Sequence, residues 1–152
     1  MTPAISFKNI SKCYRIGGLN PGYATAHHWY AWHLIVMARN DEGIAELKKA
    51  ERLDPLSLII GADLADALCI AHLYDDSVQQ SQKIFEMDPH FAVAHYQLGQ
   101  ALEQKHRHDE AIAEFRRAIE LSGGNTTFES NLANAYAAAG LKEEAMRIVR
   151  EL

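Results

Sequence analysis

Residues 92–125 read AVAHYQLGQALEQKHRHDEAIAEFRRAIELSGGN, and this stretch decides the fold. Apolar residues recur at three- and four-residue steps, at Leu98 and Leu102 and then at Ile112, Phe115 and Ile119, which is helical periodicity on both sides of the polar turn His106–Glu110. Asp88-Pro89 precedes the stretch, and the same Asx-Pro step stands 34 residues earlier at Asp54-Pro55 and again at Asn20-Pro21. One step of 34 in the other direction lands on Gly123 in Ser122-Gly123-Gly124. The chain is therefore built from repeats, each a pair of helices. A unit of this size cannot bury its own apolar face, so units must stack into a solenoid, which offers a long groove in place of a catalytic pocket.

Cut one residue after each such turn, the chain divides into 24–57, 58–91, 92–125 and a shortened 126–152, with residues 1–23 as an N-terminal degenerate half-repeat or cap. Counting places from Ala24, Leu58, Ala92 and Thr126, the seventh holds Tyr30, Leu64, Leu98 and Leu132 and the eighth Ala31, Ala65, Gly99 and Ala133. The eleventh holds Leu34, Leu68, Leu102 and Tyr136, the twentieth Gly43, Ser77, Ala111 and Ala145, and the twenty-seventh Ala50, Ile84 and Ala118. The pattern resembles the tetratricopeptide repeat, whose Leu-Gly pair, second-helix Ala, Phe and closing Ala are met by Leu98-Gly99, Ala111, Phe115 and Ala118. The resemblance implies an all-α fold, a right-handed superhelical solenoid of helix-turn-helix hairpins. The family's fourth-place Trp is replaced by His27, Gly61, His95 and Glu129, which alters local packing. More narrowly, Ala24–Ala31 with Leu53–Ile60 resembles repeat regions attached to bacterial winged-helix regulators and signalling proteins. That implies partner recruitment in a bacterial regulatory chain.

Asp41, Asp75 and Asp109 stand at the start of each second helix, where a carboxylate can accept from free backbone N–H groups and complement the positive helix end. Small residues at places eight, twenty and twenty-seven let the helix axes approach closely.

Composition narrows the function. At 48% apolar and 23% charged residues, the 152-residue chain is ordinary soluble protein, and a net charge of −5 argues against a nucleic-acid partner. Cys13 and Cys69 form no CxxC pair, which fits free thiols in a reducing, cytoplasmic setting. No signal-like opening and no apolar run of about 18 residues points to a membrane. Ile5–Tyr14 resembles the opening strand of ABC-type transport ATPases, but the phosphate loop that should follow is absent. His106-Arg107-His108-Asp109-Glu110 reads as a solvated turn and not a metal site, because zinc needs convergent ligands of fixed geometry. With no nucleophile elbow or convergent carboxylate pair, no catalytic residue, cofactor or enzyme activity is expected.

Function then falls to the concave wall, which in such repeats is lined by first-helix residues at places two, five, six, nine, twelve and thirteen. Two rows run along it: Trp29, Asp63, Gln97, Asn131 and Trp32, Asp66, Gln100, Asn134. Their amides both donate and accept, the chemistry that holds an extended peptide backbone, and the arrangement is similar in kind to the asparagine ladder of sugar transferases that carry such repeats. The expected groove residues are His28, Trp32, Val36, Asp63, Asp66, Ile70, Tyr96, Gln97, Gln100, Glu103, Asn131 and Asn134. Trp32 is expected to face the groove as an aromatic anchor, with Val36 and Ile70 beside it and Ala62 small enough to leave a pocket. Basic or polar ligand groups would meet Asp63, Asp66 and Glu103. The Lys/Asn pattern of the family's carboxylate clamp is missing, which excludes capture of a free acidic C-terminus. The ligand is thus a protein or peptide segment. The second reading is a structural spacer or homodimer that associates through uncapped ends, with Met146, Val149 and Leu152 as the contact.

Overall fold

The computed structural model describes residues 22–152. The expectations for residues 1–21, including the half-repeat, the strand-like Ile5–Tyr14 and Cys13, lie outside the described residues. Eight helices follow among them: α1 Ala24–Val36, α2 Asn40–Leu53, α3 Leu58–Ile70, α4 Tyr74–Met87, α5 Ala92–Gln104, α6 His108–Ser122, α7 Thr126–Ala138 and α8 Lys142–Glu151. They pair as antiparallel hairpins α1/α2, α3/α4, α5/α6 and α7/α8, and each second helix packs on the first helix of the next hairpin. Further contacts join α3 to α5 and α5 to α7, so the first helices line one wall of the stack. The architecture is an all-α helical-repeat solenoid.

The turn inside every hairpin has one recipe. Ala38, His72, His106 and Gly140, all at place fifteen, adopt left-handed φ of 57°, 61°, 59° and 80°. The N–H that follows each reaches back five residues to the ending helix: Arg39 to Leu34 O at 2.9 Å, Leu73 to Leu68 O at 2.9 Å, Arg107 to Leu102 O at 3.0 Å and Leu141 to Tyr136 O at 2.9 Å. This left-handed closure satisfies carbonyls that a helix end leaves free. Three of the four turns achieve it with a non-glycine residue, at a cost of roughly 1–2 kcal/mol each.

The acidic residues of the second helices need a correction. Those helices begin at Asn40, Tyr74 and His108, so Asp41, Asp75 and Asp109 occupy the second helical position, and the capping positions are Arg39, Leu73 and Arg107, without a side-chain cap bond. The carboxylates therefore complement the helix dipole without capping it, and Asp75 also pairs with Lys105. Side-chain caps occur instead on first helices, where Ser57 Oγ accepts from Ile60 N–H at 3.5 Å and Asn125 Oδ1 from Thr127 N–H at 2.9 Å.

The core is segmental, as stacked repeats demand. One cluster joins Ala31, Ile35, Ile44 and Leu47 to Leu64, Ala67 and Leu68; a second is Ala62, Ile84 and Ala94; a third runs from Leu98 and Leu102 through Phe115 to Leu132, Tyr136 and Ala145. The small places explain the close crossings. A methyl on Gly99 would stand 2.7 Å from the Phe115 ring, and one on Gly43 would stand 2.6 Å from Ile35 Cγ1. Where the family carries Trp at place four, two hairpins substitute a hydrogen bond: His27 Nδ1 lies 2.5 Å from Glu46 and His95 Nδ1 lies 2.6 Å from Glu114, joining the first helix to the second. Burial pushes the Glu46 carboxyl up, but the Lys49 and His27 hydrogen bonds outweigh it and hold the group below its ordinary value.

Candidate partner-binding groove

The inner wall is built by α1, α3, α5 and α7, and its polar residues divide by register. Place six of one hairpin faces place five of the hairpin before it. His28 Nε2–H donates to Asp63, which also accepts from the Trp32 indole N–H at 3.0 Å. One repeat pair later, Asn131 Nδ2–H donates to the Tyr96 hydroxyl at 3.2 Å and to Thr127 O at 2.9 Å. Between them the same slot fails, because place five is Ala62, which has nothing to donate. Gln97 is 5% exposed, and its Oε1 is buried without a hydrogen-bond partner. Asp63, Gln97 and Asn131 therefore stitch, or in the case of Gln97 fail to stitch, successive hairpins.

The second row is the open one. Asp66, Cys69 and Ile70 of α3, Gln100, Glu103 and Gln104 of α5, and Asn131 of α7 line an open concavity of about 270 Å³, together with His72 and Tyr74. Burial first, and the neighbouring Asp63 charge second, push the Asp66 carboxyl up to about 6. Burial likewise raises Glu103, outweighing the opposite pull of His108. The Cys69 thiol is pushed up to about 11 by burial and by Asp66. Gln100 donates from Nε2 to the Tyr96 hydroxyl at 3.0 Å while its Oε1 is buried without a partner. Tyr96 itself stacks on Phe128 at 4.5 Å between ring centres, which ties this wall to the last hairpin. The concavity is thus rich in acceptors: two carboxylates and an amide oxygen, with no lysine or arginine among its lining residues.

The aromatic anchor is placed differently from the sequence expectation. Trp32 is half-buried, its ring packed on the Ala31, Ile35 and Leu64 cluster and its N–H engaged by Asp63, and it does not line the concavity. Ala62 leaves no pocket, because Ile84 and Ala94 fill the space around it and it is fully buried. Trp29, which stacks on His28 at 5.7 Å, is the exposed indole of α1 at 67%. Val36 and Ile70 are exposed at the end of their helices, Asn134 is exposed on α7, and Met146, Val149 and Leu152 are exposed on and beyond α8. Cys69, at place twelve of the expected wall, lines the concavity beside Asp66; what the sequence reading missed is the pair His72 and Tyr74, whose Nδ1 and hydroxyl lie 2.6 Å apart. Their spacing from Asp66, six and eight residues along one helix and its turn, was the available signal.

Among the described residues, no three His, Cys, Asp or Glu side chains are grouped so as to hold a metal ion, and no helix is long and apolar enough to cross a membrane.

Residues 92–125 match the tetratricopeptide repeat family model. No curated protein matches the chain in sequence. Similar solved structures are a crystal structure of MamA, 20% identical over 94% of this chain and 82% of that one with a TM-score of 0.72, and the first TPR domain of human RPAP3, 18% identical over 82% and 98% with a TM-score of 0.73. The TPR domain of Arabidopsis OM64 is 19% identical over 74% of this chain and 93% of its own, with a TM-score of 0.66. The family match thus covers one hairpin, residues 92–125, and the whole stack shares the all-α helical-repeat fold of these solved structures.

Proposed function

We propose that this chain is a non-catalytic scaffold that binds a peptide or partner segment of another protein along the concave wall of α1, α3, α5 and α7. The observation that carries the reading is the second row. Asp66, Gln100 and Glu103 come from successive hairpins, line one concavity and leave hydrogen-bonding capacity unused, with Asn134 exposed further along on α7. Carboxylates that face an open concavity can accept from the N–H groups of an extended segment laid along it. Tetratricopeptide modules generally act by such contacts, and the solved relatives share this fold. The reading extends to a bacterial, reducing cytoplasmic setting, in keeping with a Cys69 thiol held in its protonated form.

Panning a random nonapeptide library on the chain and on an Asp66→Lys, Asn134→Arg double variant tests it, with circular dichroism to show that both are folded. Peptides enriched on the parent and lost on the variant support groove binding; identical enrichment on both, or none on the parent, sinks it.

A second reading rests on the three exposed apolar side chains Met146, Val149 and Leu152, which sit outward of Ile148, itself packed on the last core cluster. They fit self-association, and a mass by light scattering that stays monomeric at all concentrations would remove this reading.

A further inference from the structure

Resting on the groove reading above, we propose that the concavity formed by Asp66, Gln100 and Glu103 is a specificity pocket for one cationic side chain, an arginine or lysine of the bound segment. Charge and hydrogen-bond inventory carry the inference. Asp66 and Glu103 face the same 270 Å³ space, and neither makes a hydrogen bond or ion pair there among the described residues. Of the basic side chains nearest in sequence, Lys105 pairs with Asp75 and Arg107 grips Glu110 through two bonds of 2.7 and 2.6 Å, while His108 acts on Glu103 by charge alone, without a hydrogen bond to it. Gln100 borders the same space with its amide nitrogen committed to the Tyr96 hydroxyl, so it neutralises neither carboxylate.

An occupant must therefore donate several hydrogen bonds and bring positive charge. A guanidinium carries five N–H donors in a planar fork and an ammonium three. An acidic or purely apolar side chain would leave two carboxylates facing it without compensation. The apolar stem of a long basic residue would lie along Ile70, whose side chain borders the space. A divalent cation is the poorer occupant, because the described residues offer no group of three ligating side chains.

Titration of the 15N-labelled chain with N-acetyl-arginine N-methylamide, with N-acetyl-glutamine N-methylamide as the neutral control, tests the pocket directly. The expected result is saturable shifts at Asp66, Gln100 and Glu103 with the arginine compound, at least about tenfold weaker with the glutamine compound, as loss of a charge-assisted contact implies. Asp66→Asn and, separately, Glu103→Gln should each weaken the arginine response by about the same factor. Equal responses to the two compounds, no response to either, or an arginine response that survives both substitutions would overturn the pocket. The library panning separates this from the parent reading. Enriched peptides that carry no conserved basic position remove the pocket and leave the groove, whereas arginine-specific shifts without any enriched peptide support the pocket and count against the groove.

Discussion

Replacing Asp66 with Asn should stabilise the fold, and the gain should depend on pH in a defined direction. The carboxyl ordinarily ionises near 3.8, and burial together with Asp63 moves it to about 6 in the folded chain. The native state thus holds this proton more tightly than the unfolded state. Its stabilising effect is complete below about pH 4, where both states are protonated, and is lost as the pH rises through about 6, where the native group must ionise against burial and a like charge. At about 1.4 kcal/mol per pH unit, a rise from 3.8 to about 6 is worth about 3 kcal/mol at full strength. The concavity opens to solvent, so water screens part of it and the observable range is about 1–3 kcal/mol. The amide of Asn has nearly the same shape and no charge to bury.

Urea unfolding of parent and variant between pH 4 and 8, at fixed ionic strength, measures the effect. The stability gap between them should be smallest at pH 4 and widen in the variant's favour up to about pH 7. Carboxylates shifted the other way, such as Glu46, are common to both chains and cancel in the difference. Both tryptophans of the chain lie in the first hairpin, so their fluorescence should be followed beside helical circular dichroism, and coincident transitions license one free energy for the stack. A gap that stays constant within about 0.5 kcal/mol across that range would refute the claim that Asp66 is held as an uncompensated buried acid.

Four further outcomes follow from the packing. Gly99→Leu should cost roughly 1–3 kcal/mol in thermal or urea unfolding, since even its first carbon would meet the Phe115 ring at 2.7 Å. Ala38→Gly should stabilise by about 0.5–1 kcal/mol, because relief of a residue held at φ 57° outweighs the extra freedom glycine has when unfolded; a loss of stability would show that this turn is not strained. Gln97→Met should be neutral or stabilising by up to about 2 kcal/mol, as it removes a buried acceptor with no donor at nearly constant volume. In a Cys13→Ser background, Cys69 should react with a thiol reagent at pH 8 far more slowly than a free cysteine, since a thiol near 11 leaves about one thiolate in a thousand, and Asp66→Asn should quicken it.

Much of the fold was legible because repetition averages out local noise. One Gly at a helix crossing is ambiguous, but Ala31, Ala65, Gly99 and Ala133 at the same place in four units leave little choice, and all four are buried. The left-handed turn residues were less legible. Ala38 is not a residue type that announces positive φ, His72 and His106 announce it only weakly, and Gly140 in the equivalent position betrays the requirement. Asp41, Asp75 and Asp109 do lie in the first turn of each second helix, but that they make no cap bond was not legible, because acidic residues favour both the cap and the first turn.

The groove shows a deeper limit. Periodicity assigns a residue to a face, yet whether a polar side chain at place six is engaged depends on the residue 35 positions earlier, in the preceding unit. Asp63 is occupied because place five before it is His28; Asn131 is occupied because that place holds Tyr96; Gln97 is stranded because it holds Ala62. Place nine has no such regular neighbour across the hairpin boundary, so Asp66 and Gln100 retain acceptors. Trp32 breaks the pattern at place nine by reaching Asp63, which draws its ring onto the core and removes it from the open part of the wall. It follows that the row at place six sets how rigidly the hairpins are joined, whereas at place nine Gln100 and Trp32 are tied to Tyr96 and Asp63 and Asn134 is exposed. A substitution at Asp63 should therefore show first in stability, and, under the groove reading proposed above, one at Asn134 first in binding.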